Sequence, residues 1–303
     1  MRTAFINQLV EEAKYNDRIF LLVGDLGYNV VEPFANSYPD RFLNIGIAEQ
    51  NMAGIAAGLA MNGFMVYCYS IGNFPTLRCI EQVRNDIAYY NGSVRIVSVG
   101  AGYAYGTQGV SHHATEDIGI LRTIPNMVVC SPSDPMEARR ITSISSHYDG
   151  TMYIRLGKAG EANIFAEAEE LRIGDIHTFR ESDSENALFV SGSIMKEAVD
   201  WIMENVIDTA IYSVPFIKPI SREQLKSIAS RHHNIIVLEE HQLSAGLGSA
   251  IVEQLSDMYA SGELTAYPKI RRIAINDIFL PVAGDQAYCR RAAGLTLRKD
   301  YFE

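Results

Sequence analysis

A chain of 303 residues, 48% hydrophobic and 20% charged, has the balance of a folded globular protein with room for two domains, and disorder is not the expectation. Its net charge of −10 argues against a nucleic-acid groove or an anionic membrane surface, both of which need a basic face. Cys68, Cys79, Cys130 and Cys289 lie far apart with no Cys-x-x-Cys pair, so neither a zinc site nor a disulfide framework is indicated and a reducing cytoplasm is the expected compartment.

The first stretch, MRTAFINQLVEEAKYNDR, alternates apolar and charged residues at helical spacing, unlike a signal peptide, and no run reaches membrane-spanning length. Short β-branched runs follow at 19–24, 65–70, 94–100, 126–131 and 152–156, with helical patterns near 49–62, 75–91 and 134–147 between them. Strands separated by helices require crossover connections, so a mostly parallel sheet covered on both faces is predicted over residues 1–165. The character changes from about residue 161 to a stretch rich in acids and Ser, which predicts a linker over 166–186 with at most one short hairpin. The alternation resumes with strands at 187–192, 209–214, 234–240 and 271–276 and helices near 194–205, 221–231 and 246–261. The expected fold is therefore α/β in two domains, the second covering 187–303, each a mostly parallel sheet flanked by helices.

The segment FLNIGIAEQNMAGIAAGLAMNG (42–63) reads as a short strand feeding a helix of small residues, and Gly54, Ala57 and Gly58 would admit another backbone at close range. Glu49 falls in its first turn, where an acid ordinarily complements the helix dipole. After the strand at 94–100, GAGYAYGTQGVSHH is a Gly-rich loop whose Gly-x-Gly reads as a tight turn, because the longer nucleotide-binding pattern is missing. His112 and His113 are adjacent and point to different sides if extended, which makes a poor metal pair. Glu116 and Asp117 read as caps of the following helix, and Glu239, Glu240 and His241 as solvated charges at a strand end.

The wording of several segments resembles the transketolase family and the related 1-deoxyxylulose-5-phosphate synthases. GIAEQNMAGIAAGLA is similar to the helix of their pyrimidine-binding domain. Around it LVGDLG (22–27), PDRFLNIGIAEQNM (39–52), LRCIEQVRNDIAY (77–89), GTQGVSHHATEDIGILRTIPNMVVCSPSDPMEA (106–138) and YIRLGKAG (153–160) resemble the family in order and spacing, while LEEHQLSAGLGSAIVEQL (238–255) resembles its C-terminal domain more loosely. The resemblance implies thiamine diphosphate as cofactor and makes Glu49 the acid that bonds N1′ of the aminopyrimidine. It makes His112 a catalytic and substrate-binding residue. Phe74 is the candidate for stacking on the pyrimidine, with a plain core Phe as the alternative, although the family's two ring residues align here with Gly72 and Pro75. Arg78 would position that loop or the substrate. Asp25 matches an acid near the cofactor and reads equally as a turn residue. Gln108 stands where many members have an Asp that reads a donor hydroxyl, Gly100 where they have a phosphate-gripping His, and Lys158 where they have a phosphate-binding Arg, so the sugar is left open.

The family's Gly-Asp-Gly…Asn motif for diphosphate and Mg²⁺ is missing, with Gly24-Asp25-Leu26 present instead. The resemblance thus implies a split enzyme. Its N-terminal subunit would hold the diphosphate and Mg²⁺, with no metal on this chain, in an α2β2 heterotetramer that self-associates through the pyrimidine domain. The expected activity is a transferase that moves a two-carbon ketol unit from a ketose, phosphorylated in the expected case, to an aldose in carbohydrate metabolism. The rival readings are a decarboxylating thiamine diphosphate enzyme (a deoxyxylulose-phosphate synthase or a 2-oxo acid dehydrogenase β subunit) and a noncatalytic assembly subunit.

Overall fold

The structure is a computed structural model that describes residues 1–166 and 170–303. Residues 167–169, which fall in the stretch read as linker, lie outside the described residues. The first part of the chain runs α1 (Arg2–Glu12), β1 (Ile19–Val23), α2 (Glu32–Ser37), β2 (Phe42–Asn44), α3 (Glu49–Met61), β3 (Met65–Ile71), α4 (Ile80–Gln82), β4 (Val94–Val99), α5 (Asp117–Arg122), β5 (Met127–Cys130), α6 (Pro135–Ser145) and β6 (Thr151–Leu156). The second runs β7 (His177–Arg180), β8 (Asn186–Ser191), α7 (Met195–Glu204), β9 (Ala210–Ser213), β10 (Phe216–Lys218), α8 (Arg222–Arg231), β11 (Asn234–Gln242), α9 (Leu247–Ala260), β12 (Lys269–Ile275) and α10 (Gln286–Ala292).

Seven strands form one sheet in the order β10-β5-β6-β4-β3-β1-β2, and five form a second in the order β12-β11-β8-β9-β7. Within each sheet the pairs are parallel except at one edge, where β10 and β7 run antiparallel to their neighbours. Every residue of β4 and β6 is buried, as expected when helices cover both faces of a parallel sheet. One apolar core, with α1, α2 and α6, lies on one face of the large sheet. The core on the other face takes in α3 and α5 and continues without a break under α8 and α9 of the second part.

Three elements differ from the sequence expectation. The stretch read as linker contributes β7, which pairs with β9 as an edge strand of the second sheet. β10 crosses back and adds to β5 of the first sheet. The helix expected near 75–91 is instead a 3₁₀ turn at Leu77–Cys79, the short α4 and a π-helical stretch at Val83–Ala88. Short π segments arise inside helices where local packing asks for one extra residue per turn, frequently beside functional sites.

The loops that matter for function leave the C-terminal ends of β1, β3, β4 and β6. That edge is where open α/β sheets collect their ligand-binding groups.

Candidate active site

β2 ends at Asn44, the chain turns through Gly46 at φ +72°, and α3 begins at Glu49. Ala48 at the N-cap offers no side chain to the free helix N–H groups, so an acid in the first turn is favoured there by the dipole. The Glu49 carboxylate is nevertheless buried, 2% exposed, and is aimed at the sheet. Its Oε1 accepts from the Ser70 hydroxyl at the end of β3 at 3.1 Å, and its Oε2 accepts from Arg78 Nη1 at 2.7 Å. A Cβ built on Gly24 would lie 3.4 Å from Glu49 Oε1 and 3.3 Å from Ser70 Oγ, so the backbone after β1 closes tightly over this carboxylate.

The turn from Gly72 to Cys79 carries the next groups. Gly72 sits at φ +41° and its carbonyl accepts from Ser98 Oγ at 3.0 Å and Thr76 Oγ1 at 3.1 Å, which ties the turn to β4. The Arg78 guanidinium lies over the Phe74 ring, 4.5 Å from its centroid. Phe74 also meets the His112 imidazole in a T-shaped contact, 5.4 Å between centroids. His112 lies in the 3₁₀ turn Val110–His112, and its Nδ1 is within 3.0 Å of the Ser111 hydroxyl. Glu49, Arg78, Phe74 and His112 therefore form one continuous chain of contacts at the C-terminal edge of the large sheet.

Asp25, Gln108 and Lys158 do not join that chain among the described residues. Asp25, in the left-handed region at φ 52°, accepts from Asn44 Nδ2 at 3.1 Å and from Tyr28 OH at 3.2 Å. Gln108 is exposed in the 3₁₀ turn Gly106–Gln108. Lys158 follows β6, where its carbonyl accepts from the Met1 amino group at 3.1 Å. Gly100 has φ +95°, and a Cβ there would fall into the Tyr105 ring. The Gly-x-Gly is thus a turn, as its length suggests, and Tyr105 fills the space that a side chain at 100 would need.

Of the charges read as helix caps and solvated edge groups, Asp117, Glu239, Glu240 and His241 are buried, whereas Glu116 is half-buried and accepts from Thr115 Oγ1 at 2.9 Å. α5 has no side-chain cap; Asp117 instead accepts from Arg155 Nε at 2.8 Å and from the Tyr153 hydroxyl, in a pair at most 2% exposed on either side. Glu239 accepts from the N–H groups of Leu247 and Gly248 at 2.7 and 2.9 Å, at the start of α9. Glu240 accepts from Tyr103 N and from Arg290. His241 Nε2 accepts from Gly119 N at 3.1 Å, so its proton is on Nδ1, which donates to the Gln242 carbonyl. Burial of a charge is tolerated only with such partners; those of Asp117, of Glu240 and of His241 Nε2 come from distant segments, whereas Glu239 is held by the helix start that follows its own strand. Among the described residues no group of three or more His, Cys, Asp or Glu is placed to hold a metal ion.

Residues 1–160 match the family "Transketolase, pyrimidine binding domain" and residues 180–299 the family "Transketolase, C-terminal domain". The chain belongs to the transketolase family. It is 34% identical to the transketolase C-terminal section of Methanocaldococcus jannaschii, covering 92% of this chain and 87% of that protein. It is 32% identical to a subunit of the apulose-4-phosphate transketolase of Actinobacillus succinogenes, covering 88% and 84%. A solved structure described as a split gene transketolase, inactive beta4 tetramer, superposes with a TM-score of 0.83 at 32% identity over 97% of this chain and 93% of that one. The chain is thus a split-type, C-terminal member of the family. Family membership implies dependence on thiamine diphosphate, and the buried Glu49 carboxylate under the close Gly24 backbone, beside the half-buried Phe74 ring, fits its pyrimidine end.

Proposed function

We propose that this chain is the pyrimidine-binding subunit of a thiamine diphosphate-dependent transketolase. In complex with a partner chain it transfers a two-carbon ketol unit from a ketose to an aldose. The observation that carries the reading is Glu49, a buried carboxylate at a helix start with both oxygens directed by Ser70 and Arg78. Each carboxylate oxygen has a second lone-pair direction, which leaves Glu49 able to share a proton with the N1′ nitrogen of an aminopyrimidine. When bound, thiamine diphosphate supplies the carbon nucleophile and the electron sink for C–C cleavage. Phe74 presents a ring face for the pyrimidine, and Arg78 holds both Phe74 and the carboxylate in register. With Nδ1 beside the Ser111 hydroxyl, His112 has Nε2 left to meet a substrate hydroxyl. Gln108 and Lys158 are assigned to the sugar, and Asp25 to the cofactor's surroundings through its neighbour Gly24.

The diphosphate and Mg²⁺ are assigned to an N-terminal partner chain in an α2β2 assembly. Two relatives are named as a subunit and as a C-terminal section of a transketolase, and a third forms an inactive β4 assembly, all of which support that arrangement. Asn51, Gly54, Gly58 and Met61 form an exposed stripe on α3, where a Cβ added at either glycine would meet no described atom within 4 Å, which suits an interface through the pyrimidine domain, whereas Ala57 faces the chain's own core. We place the domain division at 1–165 and 187–303 with a connecting stretch at 166–186, whose β7 is the edge strand of the second sheet. No helix among the described residues is long and apolar enough to cross a membrane, and we assign the protein to the cytoplasm.

The test is to assemble the chain with its partner and assay two-carbon transfer from phosphorylated and free ketoses, alongside decarboxylation of 2-oxo acids. Ketol transfer that collapses in Glu49→Ala supports the reading. An unchanged Glu49→Ala complex sinks it, full activity of the lone chain sinks the partner requirement, and decarboxylation without transfer favours the rival chemistry.

A further inference from the structure

The loop that carries His112 is pinned at its base by the second part of the chain. Its two arms meet in an antiparallel bridge between Gly102 and Ala114, with N–H to carbonyl distances of 3.0 Å in both directions. On the outgoing arm, the N–H of Tyr103 donates to Glu240 Oε1 at 2.7 Å. On the returning arm, the Ala114 carbonyl accepts from Arg155 Nη2 at 2.6 Å, and the same nitrogen donates to the Glu240 carbonyl at 3.0 Å. The Tyr103 ring lies against His113, 4.9 Å between centroids.

Glu240 is 3% exposed at the end of β11. Gly102 has φ +60°, and a Cβ there would run into the Glu240 carboxyl, so the loop base and this side chain are packed directly on each other. Its second oxygen accepts from Arg290 Nε at 3.0 Å and Nη2 at 2.6 Å, and Gln286 Nε2 lies 3.2 and 3.1 Å from the two oxygens. Arg290 in turn donates to Glu197 at 2.8 Å and to Ser193 at 2.9 Å. A buried carboxylate is expensive unless its partners are fixed. Here the fixed partners are a helix of the second part on one side and the His112 loop on the other, which is the arrangement that transmits orientation.

We infer that Glu240, braced by Arg290 and Gln286, is a positioning residue for His112, so that the C-terminal part of the chain sets the geometry of the substrate-binding loop. The inference rests on the proposed role of His112. It explains why both parts belong to one polypeptide: the second brings a carboxylate to the base of a loop whose tip belongs to the first.

The experiment compares wild type, Glu240→Gln and the milder Gln286→Ala in the complex assembled with the partner chain. It records kcat/KM for the ketose, thiamine diphosphate affinity, and the imidazole NMR resonance of His112, assigned with His112→Gln. Glu240→Gln is expected to lower kcat/KM about tenfold, as a small misplacement of a reacting group does, to leave cofactor affinity unchanged and to shift the His112 resonance. Gln286→Ala moves the same two readouts by about two- to threefold and a smaller shift, and it carries the test if Glu240→Gln does not fold. Variants with lowered melting temperature but wild-type kcat/KM and His112 resonance would make Glu240 a purely structural group and overturn the inference. If the wild-type complex transfers no ketol unit, the functional reading fails, while the His112 resonance still decides whether Glu240 orients the loop.

Discussion

Glu49 Oε2 and Arg78 Nη1 lie 2.7 Å apart, the carboxylate side chain 1% exposed and the arginine 43%. The pair is therefore lopsided: Arg78 can be solvated without Glu49, whereas Glu49 without Arg78 keeps one hydroxyl donor. Replacing one member of a fully buried pair costs roughly 3–5 kcal/mol. Solvent screening at the exposed arginine reduces this, so Arg78→Met is expected to cost about 1–2 kcal/mol. Urea unfolding measures the loss, and Arg78→Lys, which keeps the charge without the fork, should fall between. An Arg78→Met chain as stable as wild type would mean that Ser70 alone satisfies the carboxylate.

Phe74 contacts both Arg78, whose guanidinium lies over its ring, and His112, in a T-shaped pair. Phe74→Leu keeps apolar bulk and removes both ring contacts. The cation–π contact at a half-exposed site is worth about 0.5–1 kcal/mol, so stability should change little. Thiamine diphosphate affinity of the assembled complex should fall several-fold, because the ring proposed to face the pyrimidine is gone. Calorimetric titration reads this directly. Unchanged affinity would return Phe74 to the role of a packing residue.

The parallel strands were legible because burial on both faces leaves long apolar runs such as IFLLV and VRIVSV. From its place in a first turn Glu49 reads as an acid complementing the helix dipole, and its burial is not announced there; only the resemblance of its surroundings points to a cofactor. β7 was not legible, because an edge strand with one exposed and three half-buried residues has no apolar run to betray it. β10 spans three residues and owes its existence to β5, some ninety positions earlier. Glu239, Glu240 and His241 looked like solvated charges for a related reason. Their partners at Leu247, Tyr103 and Gly119 are supplied by the fold, and no local pattern announces them. Ser70 and Arg155 did carry a signal: each is a polar residue flanked by apolar ones near the end of a buried strand.

Gly100 is where sequence similarity and local space meet. Its φ of +95° is costly for any side chain, and a Cβ there strikes Tyr105. Gly100→Ala should therefore cost about 2–4 kcal/mol, combining backbone strain with overpacking. Adding Tyr105→Ala removes the steric part and leaves the backbone part. The two changes should thus be non-additive by more than about 0.5 kcal/mol in a double-mutant cycle of thermal unfolding. Strict additivity would show that the ring moves aside freely and that position 100 could hold a side chain after all.

His113 gives the chain a calculable response to acid. The residue is 3% exposed, and its Nε2 is buried with no hydrogen-bond partner among the described residues. Burial pulls its pKa below the ordinary 6.5, against the opposing pull of the Gly106 backbone and of Glu116 and Glu240. With the folded value lower than the unfolded one, the unfolded chain binds the extra proton once pH falls below about 6.5. Stability must then rise with pH across that window and be lost as pH drops through it. His113→Gln cannot take up the proton, so the fall in unfolding free energy between pH 7.5 and pH 5.5 should be smaller in the variant than in wild type, whatever the variant's stability at pH 7.5. Urea titrations at the two pH values give the four numbers needed. Equal falls would mean that the folded chain protonates His113 as readily as the unfolded one, and that the orphaned nitrogen finds a partner that burial alone does not reveal.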